Sequence, residues 1–536
     1  MSGKDKNIEN QNKAKDKKTE EKFCIYDRSL GDEDMNSLSK IDFKDIKKLV
    51  LSENQITNLD IFTKLNLTNL EKLKIEYNPI KDINVLGKIN LKNLKSLVLY
   101  DTDISDLNPL ENANFYNLEK LNISLSKISN IDIFKKVKFK NLKSLTLYDN
   151  ENLKDVNGLF KAIFENLEKL DITMENTDLL PNLNFINLKE LRISFPKKNI
   201  DLSVFQNVKF KNLEILDLSK QKNISNIDPL EKIEFKNLKK LDLELNEITD
   251  IKVLQKVKFK NLEILNIGYN NIKNIDILEK VNFPNLKELN IRDIGINNIN
   301  FLLNVNFEKL EKLKIGSNEI GKNINILKKL NFVELRALEI YSMGITDIKI
   351  LEKVKFNKLE YLNLSGNEIN NLEILENVNF KNLKELVLLA MKITDISFLA
   401  KVDFKFLEKL NLSHNKITNI DILEKVNFRE LKELDLYIND FKDISVLEKV
   451  KFEKLEVLDL MDISFANAEV LFKVNFPNLK TFYYGIYPDT DLSGWDPRDF
   501  RKEICKKFKF LNKNSSLPGD SNSQDEGSDD DDNGDE

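Results

Sequence analysis

The sequence repeats one short pattern nineteen times, and this repetition limits the possible fold more than any local feature does. Each copy begins with Phe or Leu, at positions 43, 67, 91, 115, 139, 164, 185, 210, 235, 259, 283, 307, 332, 356, 380, 404, 428, 452 and 476. The mean period is about 24 residues, since 18 intervals cover 433 residues. A period of this length is typical of a solenoid, in which each copy packs only against its neighbours. It therefore predicts one elongated domain rather than several globular ones.

Within each copy, the spacing of apolar residues predicts a short strand followed by a tight turn. In the copy that begins at Phe259, Leu265 and Ile267 are separated by one residue. Strand side chains at that spacing point to the same side, so both are predicted to face the core. Asn266 and Tyr269 are predicted to lie on the outer sheet face or its rim. The apolar residues that follow recur at every third position, which favours a 3₁₀ or α turn.

The start of the turn carries residue types that cap helices. Asp228 is followed by Pro229 and Glu231, which predicts an N-cap, a proline at the first helical position and an acidic third residue. A similar spacing, which predicts a capping box, recurs at Asp276/Glu279, Asp421/Glu424 and Ser445/Glu448. These local signals agree with the period and favour one type of coil throughout.

The pattern L-x-x-L-x-L-x-x-N-x-I-x-x-I-x-x-L, seen from Leu407 to Leu423, resembles the leucine-rich repeat. It is most similar to the type found in protein phosphatase regulatory subunits and bacterial internalins, with about two extra residues in the V-x-F-x-N segment of each copy. The resemblance covers about nine tenths of the chain. It implies an α/β solenoid, a right-handed horseshoe with a parallel β-sheet on its concave face and short 3₁₀ or α turns on its convex face. It implies binding, but no particular ligand.

The resemblance also implies a role for the Asn in the ninth position of the pattern. In this family, the side-chain amide of that Asn bonds the backbone of adjoining coils, which suits a group that both donates and accepts. Eight copies fit, namely Asn54, Asn78, Asn246, Asn270, Asn318, Asn367, Asn415 and Asn439. Ile294, Met343, Met391 and Ile463 occupy the position in other copies. The alternation of Asn and apolar copies suggests that the C-terminal half arose by duplication of a two-repeat unit.

The two ends and one internal stretch depart from the pattern. The predicted segments are a disordered Lys-rich segment at 1–22, a degenerate capping repeat at 23–42, the solenoid at 43–485, a cap with a helix at 486–511 and a disordered acidic tail at 512–536. Asp496-Pro497 begins the predicted helix, with Phe500, Ile504 and Phe508 on one face. Between 164 and 210 one interval drops to 21 residues. This predicts either a bulge that could serve in docking or a decayed repeat.

Charge and cysteine content narrow the class of protein. The net charge is −5, and residues 520–536 carry nine carboxylates, so the rest of the chain is close to neutral. That balance is not typical of a nucleic-acid groove. Cys24 and Cys505 would lie tens of ångströms apart at ~4.8 Å per coil, so they are not expected to pair. The sequence shows no secretory signal and no span of about 18 apolar residues, which favours the cytoplasm, with the nucleus as the alternative, and no membrane partner.

Residues that could carry chemistry are scarce. His414 is the one histidine, and its position before Asn415 predicts a solvated surface residue. No nucleophile elbow, phosphate loop or metal-ligand spacing is present. Cys505 as a nucleophile lacks a histidine partner in the sequence. The chain is therefore predicted to be a non-enzyme without cofactor or metal.

The outer sheet face is the predicted binding surface. Tyrosines and aspartates recur at its strand positions, and tyrosine favours interfaces because it combines a large apolar ring with a polar tip. The candidate partner-binding residues on the concave face are Tyr77, Tyr100, Tyr148, Asp171, Asp217, Asp242, Tyr269, Tyr341, Tyr361, Asp435 and Tyr437. The competing interpretation is that tyrosine suits any half-exposed sheet.

Three functions are compatible with these features. The first is a monomeric protein-interaction scaffold that binds a protein partner of unknown identity along the concave face. The second is a regulatory subunit of an enzyme such as a protein phosphatase, which rests on analogy alone. The third is a secreted or surface adhesin of the internalin type, which needs an export signal that the sequence does not show.

Overall fold

The computed structural model describes residues 22–26, 30–195, 200–487 and 490–508. Contacts divide the chain into two units, residues 1–359 and 360–536, and each is described by itself. The predicted disordered segment at 1–22, apart from Lys22, and the predicted tail at 512–536 lie outside the described residues.

In the described part of the first unit, each coil contributes one short strand to a parallel sheet. The strands are β1 Lys22–Tyr26, β2 Lys48–Ser52, β3 Lys72–Lys74, β4 Ser96–Val98, β5 Lys120–Asn122, β6 Ser144–Leu147, β7 Lys169–Thr173, β8 Glu190–Ser194, β9 Ile215–Asp217, β10 Lys240–Asp242, β11 Ile264–Asn266, β12 Glu288–Asn290, β13 Lys312–Lys314 and β14 Ala337–Glu339. The second unit adds β15 Tyr361–Asn363, β16 Glu385–Val387, β17 Lys409–Asn411, β18 Glu433–Asp435, β19 Val457–Leu460 and β20 Thr481–Tyr484. Consecutive strands within each unit pair in parallel.

Short 3₁₀ helices follow the strands. In the first unit they are Asn36–Lys40, Asp60–Lys64, Asn84–Gly87, Asn108–Asn112, Asp132–Lys135, Asn157–Leu159, Thr177–Asn182, Leu202–Asn207, Asp228–Lys232, Lys252–Gln255, Ile275–Lys280, Asn300–Leu303, Gly321–Lys329 and Lys349–Lys353. In the second unit they are Leu372–Glu376, Ser397–Ala400, Asp421–Glu424, Ser445–Glu448 and Ala468–Phe472. Two α-helices lie outside the repeats, α1 at Asp32–Met35 and α2 at Pro497–Lys507. The predicted combination of parallel sheet and short 3₁₀ turns is confirmed.

The register places equivalent side chains in columns. Leu241 of β10 lies opposite Leu216 of β9 and Leu265 of β11. Leu265 and Ile267 are fully buried, as the strand pattern predicted. Each coil therefore adds the same apolar side chains to a core that continues from one coil to the next.

The predicted asparagine column is confirmed and joins adjacent coils. Nδ2 of Asn270 donates to the carbonyls of Leu243 in the preceding coil (2.9 Å) and of Ile267 in its own (3.1 Å). Its Oδ1 accepts the N–H of Ile248 at 3.0 Å. Asn150, which the pattern did not identify, makes equivalent bonds. Gln221 replaces Asn in the copy that begins at Phe210.

At two of the positions where the column carries an apolar residue, the asparagine of the next coil accepts the backbone N–H of that residue. Oδ1 of Asn318 accepts both the Ile294 N–H (3.1 Å) and the Ile296 N–H (3.3 Å). Asn415 does the same for Met391 and Ile393. One asparagine in two coils is therefore enough to bond these backbone donors.

A second asparagine column lies in the V-x-F-x-N segment before many of the described strands. Nδ2 of Asn93 donates to the Thr68 carbonyl of the preceding coil at 2.9 Å. The same bond is made by Asn69, Asn117, Asn141, Asn166, Asn187, Asn212, Asn261, Asn285 and Asn478. The V-x-F-x-N segment, which makes these repeats longer, therefore bonds adjacent coils to each other, as the first asparagine column does.

The predicted capping boxes are wrong. The residue that caps each turn stands two positions earlier than predicted: Oδ1 of Asn226 accepts the Asp228 N–H at 2.9 Å, and Asp443 does the same for Ser445 at 2.8 Å. Asn274 and Asn419 cap the turns at Asp276 and Asp421. An Asx turn thus starts the 3₁₀ helix, because the short Asn or Asp side chain reaches a backbone N–H two residues on.

A row of alternating charges precedes the strands. Lys95 pairs with Glu71 at 2.8 Å in the first unit, and Lys432 with Glu408 at 2.6 Å in the second. In the sequence, acidic and basic residues alternate at this position from Lys47 to Lys480 without exception. The two-repeat periodicity therefore extends over the whole set of repeats and is not confined to the C-terminal half.

The irregular stretch leaves the sheet intact. Strands β7 and β8 are five residues each and pair through Thr173 and Ser194. The shortened interval is taken up by the 3₁₀ helix that contains Pro181. Residues 196–199, part of the predicted bulge, lie outside the described residues.

The last coil of the second unit is covered by helix α2. Asp496 caps it by accepting the Arg498 N–H at 2.9 Å. Phe500 and Ile504 are buried, and the Phe500 ring lies 4.8 Å from that of Phe472. The helix lies where the sequence predicted it.

Candidate binding face

The outer sheet face consists of the strand side chains that point away from the core, together with the residues immediately after each strand. Its middle strand position is rich in Asp and Asn, and the structure gives a local reason. Oδ1 of Asp242 accepts the N–H of Glu244 at 3.2 Å, because strand β10 ends at Asp242 and leaves that N–H without a strand partner. The same bond, to the N–H two residues on, is made by Asn122, Asp217, Asn266, Asn290, Asn363, Asn411, Asp435 and Asp459.

The rim of the face has a strained backbone. A residue just beyond most of the described strands adopts a left-handed conformation, with φ of 53° at Tyr77, Tyr269 and His414. This turn holds the two tyrosines at the edge of the face. Tyr77 is 48% exposed and contacts Tyr100 edge to face at 5.4 Å.

An aromatic platform covers the face over β11 to β14. Tyr341 lies across Gly316, where an added Cβ would come within 2.5 Å of the tyrosine ring. Its hydroxyl reaches 3.4 Å from the hydroxyl of Tyr269, three coils away. Burial and the bond to Tyr341 raise the pKa of Tyr269 above its usual range. Glycine at 316 is therefore what allows the ring to lie flat.

Arg292 is held inside this platform. Its guanidinium bonds Glu244 at 3.1 Å and Glu339 at 3.7 Å, and lies 5.6 Å from the centre of the Tyr269 ring. Burial opposes its charge, but Tyr341, Glu339 and Glu244 together raise the pKa of Arg292. Lys314 pairs with Glu288 at 2.9 Å beside it. The side chains are fixed before any partner arrives.

A second cluster lies over β6 to β9. Arg192 is 3.7 Å from Asp217 and its guanidinium lies 5.4 Å from the centre of the Tyr148 ring. Asp171 lies in register beside Arg192 and is buried. Desolvation raises the pKa of Asp171 to about 6, although Arg192 and Lys169 oppose the shift.

The second unit has its own acidic and aromatic cluster. The Tyr487 hydroxyl donates to Asp462 at 2.5 Å, and the His414 ring meets Tyr437 edge to face at 4.9 Å. Desolvation, with repulsion from Asp435 and Asp462, raises the pKa of Asp459 to about 6.

Comparison with known proteins identifies the repeat. Residues 405–449 match the family model for Leucine Rich repeats (2 copies). The solved structure of TLR13 in complex with ssRNA13 is similar with a TM-score of 0.52, at 19% identity over 86% of this chain and 79% of that chain. The chain has the leucine-rich repeat fold.

Two further leucine-rich repeat structures are similar over most of their length. The leucine-rich repeat protein LIC12759 of Leptospira interrogans is 22% identical over 84% of this chain and 99% of that chain, with a TM-score of 0.39. An internalin, InlF, of Listeria monocytogenes is 22% identical over 80% and 89%, with a TM-score of 0.28. No curated protein matches the chain in sequence. The phosphatase-subunit subtype stays a prediction.

The leucine-rich repeat face brings the candidate residues together in groups rather than in one site. Tyr77 contacts Tyr100, and the hydroxyl of Tyr269 lies beside that of Tyr341. Arg192 joins a third group: its guanidinium lies over the Tyr148 ring and pairs with Asp217, and Asp171 lies beside it on the neighbouring strand. Asp242 is buried and pairs with Lys240 at 3.2 Å. In the second unit, the Tyr361 hydroxyl accepts a bond from Asn363, and Asp435 accepts the Tyr437 N–H.

Sequence reasoning missed the charged residues that organise the leucine-rich repeat face. Arg292, Glu244 and Glu339 were not among the candidates, and neither was Gly316. Alignment of the position two residues beyond each middle strand residue would have placed Glu244, Arg292, Gly316 and Tyr341 in one column. Phe195, which follows strand β8, is buried and does not contribute to the face.

Over the described ranges, no helix combines the length and apolar character needed to cross a bilayer. Within the same part of the chain, no group of three or more His, Cys, Asp or Glu side chains is arranged to hold a metal ion.

Proposed function

We propose that this leucine-rich repeat protein is a non-catalytic scaffold that binds a protein partner along its outer sheet face. The observation that carries the proposal is the platform of Tyr269, Arg292 and Tyr341. Tyrosine and arginine dominate the binding energy of protein interfaces, because each offers a large contact area with a polar group attached.

The platform is also ordered before binding. Arg292 is held by two carboxylates and Tyr341 by the space over Gly316. Side chains that are already fixed lose little conformational entropy when a partner binds, so more of the contact energy contributes to affinity.

A protein partner fits the face better than a nucleic acid does. Around the platform, the carboxylates of Glu244, Glu288 and Glu339 are balanced by the cations of Arg292, Lys312 and Lys314. A phosphate backbone requires a surplus of positive charge for counterion release. The single-stranded RNA in the TLR13 structure belongs to that protein. The even balance of charges around the platform here lacks the positive surplus that RNA requires and favours a polypeptide.

The proposal is tested by site-specific photo-crosslinking in cells. Benzoylphenylalanine is introduced at Tyr77 or Tyr437 on the outer sheet face, and at Lys256 or Lys401 beside the 3₁₀ turns as matched exposed controls. We expect one protein partner to be cross-linked from the face positions and not from the turn positions. Cross-linking from the turn positions alone would overturn the proposal.

The identified partner then provides a quantitative test. Arg292→Ala is expected to weaken its affinity at least about tenfold, since truncation of a pre-ordered interface arginine is typically costly. Lys256→Ala is the control, and circular dichroism confirms that both variants are folded. We further propose that the scaffold is a cytoplasmic monomer, which cell fractionation and analytical ultracentrifugation would test.

A further inference from the structure

Among the Asp and Asn side chains at the middle strand position of the described outer sheet face, Asp171 is the exception. Nine residues at its strand position accept the N–H two residues on. Strand β7 instead continues to Thr173, so that N–H lies within the strand. Asp171 is only 7% exposed, and its Oδ1 has no hydrogen-bond partner.

The cations nearest to Asp171 are already engaged elsewhere. Lys169 on the same strand pairs with Glu190 at 2.7 Å. Arg192 on the next strand lies 3.7 Å from Asp217 and stacks over Tyr148. Three carboxylates, at 171, 190 and 217, therefore share two cations, and the cluster lacks one positive charge.

A buried carboxylate without a hydrogen-bond donor is costly, so a native structure that keeps one needs a reason. An incoming ammonium or guanidinium would supply both the missing donor and the missing charge. We infer that Asp171 is the docking point for a lysine or arginine side chain of the polypeptide that the outer sheet face binds. This inference rests on the proposed function and specifies which partner residue the face selects.

Access to Asp171 requires only that surface side chains move. Arg192 lies in register beside it, and its side chain is 39% exposed. Its contact with Asp217 at 3.7 Å and its stacking on Tyr148 are both of the kind that contributes little at a surface. An arriving cation can therefore displace the Arg192 guanidinium toward Asp217 and take the place beside Asp171.

The test uses short peptides and isothermal titration calorimetry on the full-length protein. The probe is acetyl-Gly-Arg-Gly-Arg-Gly-amide, with its lysine counterpart and an uncharged glutamine counterpart as comparisons. Asp171→Asn is expected to weaken binding of the arginine peptide at least about tenfold, because the charge is lost and the shape retained. Asp178→Asn, an exposed carboxylate in the following turn, is the matched control and is expected to leave binding unchanged.

The pH dependence gives a second readout. Binding by the wild-type protein is expected to weaken between pH 7.5 and pH 5, since protonated Asp171 no longer attracts a cation. The charged groups that face Asp171 are Lys169 on its own strand, Glu190 and Arg192 on the next strand, and Asp217 beyond it. The pH dependence should therefore be lost in the Asp171→Asn variant.

Two outcomes would overturn the inference: equal affinity of the Asp171→Asn and wild-type proteins, or no saturable binding of either basic peptide by the wild type. Photo-crosslinking from Tyr77 and Tyr437 reports on the face independently. If a partner is cross-linked but Asp171→Asn does not weaken peptide binding, the scaffold function stands and the assignment of Asp171 as a docking point is wrong.

Discussion

At the scale of single residues, the composition of the outer sheet face has two origins. Asp217, Asp242 and Asp435 were candidates for partner binding, but each uses one carboxylate oxygen to accept a backbone N–H where its strand ends. The abundance of Asp and Asn at this position therefore reflects the shortness of the strands. Only a residue that departs from this local bond, as Asp171 does, is informative about a partner.

The burial of Asp171 makes stability depend on pH. Its pKa is raised from 3.8 to about 6, so the folded state favours the protonated form and loses stability as pH rises through that range. Above pH 6 the free energy of unfolding is lower by about 3 kcal/mol, since each unit of pKa shift corresponds to ~1.4 kcal/mol. Asp171→Asn is expected to abolish this loss and so to raise the free energy of unfolding at pH 7.5.

Urea denaturation at pH 4 and pH 7.5 measures this effect. The Asp171→Asn variant and the wild type should be similar at pH 4 and differ at pH 7.5, whereas Asp178→Asn should follow the wild type at both. An equal effect of Asp171→Asn at the two pH values would show that the carboxylate is not destabilised in the folded protein.

The left-handed residues at the rim offer a second test at this scale. Ala390 is exposed with φ of 55°, a conformation that costs a residue with a Cβ about 1–2 kcal/mol. Ala390→Gly is therefore expected to raise the free energy of unfolding by about 1 kcal/mol. Gly366→Ala, at φ of 62° in the preceding repeat, should lower it by a similar amount. Thermal denaturation that moved both variants in the same direction would contradict this account.

At the scale of elements, the strands and turns follow from the sequence, but the contacts between coils do not. The L-x-L step and the three-residue spacing are local, so they predicted Leu265 and Ile267 in the core. Arg292 and Glu244 are 48 residues apart, and Tyr269 and Tyr341 are 72 apart. These pairs depend on how far a side chain reaches across intervening coils, and no motif within one copy contains that information.

The same limit explains the missed asparagines. The first column was predicted because it belongs to the repeat pattern that the chain resembles, whereas Asn93 and its equivalents occur in the segment where this chain differs. Their role appears only when the Thr68 carbonyl of the preceding coil is placed beside them. The alternating charges were likewise visible in the sequence, but the pairing of Lys95 with Glu71 needed the register of the coils.

The platform over β13 can be tested by filling the space at Gly316. An added Cβ would lie 2.5 Å from the Tyr341 ring, so Gly316→Ala is expected to push the ring aside and cost about 1–3 kcal/mol, as overpacking does. In a Tyr341→Ala background, Gly316→Ala should cost far less, because the ring that the added Cβ would contact is absent. Urea denaturation of the four proteins gives the coupling energy, and additive effects would mean that the ring does not depend on the glycine.

At the scale of the molecule, repeats whose backbones bond only to adjacent coils confine a defect to its surroundings. The described coils share one core column, and most carry at least one of the two column asparagines, so the stability of a coil depends on the coils on either side. The terminal coil of the second unit has a neighbouring coil on one side, and helix α2 covers the other. Phe500, at 1% exposure, anchors that helix against Phe472.

Truncation of the Phe500 side chain should therefore destabilise the last strands of the sheet and leave the strands in its middle unaffected. Phe500→Ala is expected to cost about 3–5 kcal/mol locally, as large-to-small substitutions in cores do. Hydrogen exchange should accelerate in β19 and β20 and remain unchanged in β10, because the cost spreads only as far as neighbouring contacts carry it. Arg498→Ala, exposed on the same helix, should leave all three strands protected. Uniform acceleration in every strand would mean that the protein unfolds as one cooperative body, and the nearest-neighbour description of its stability would have to be given up.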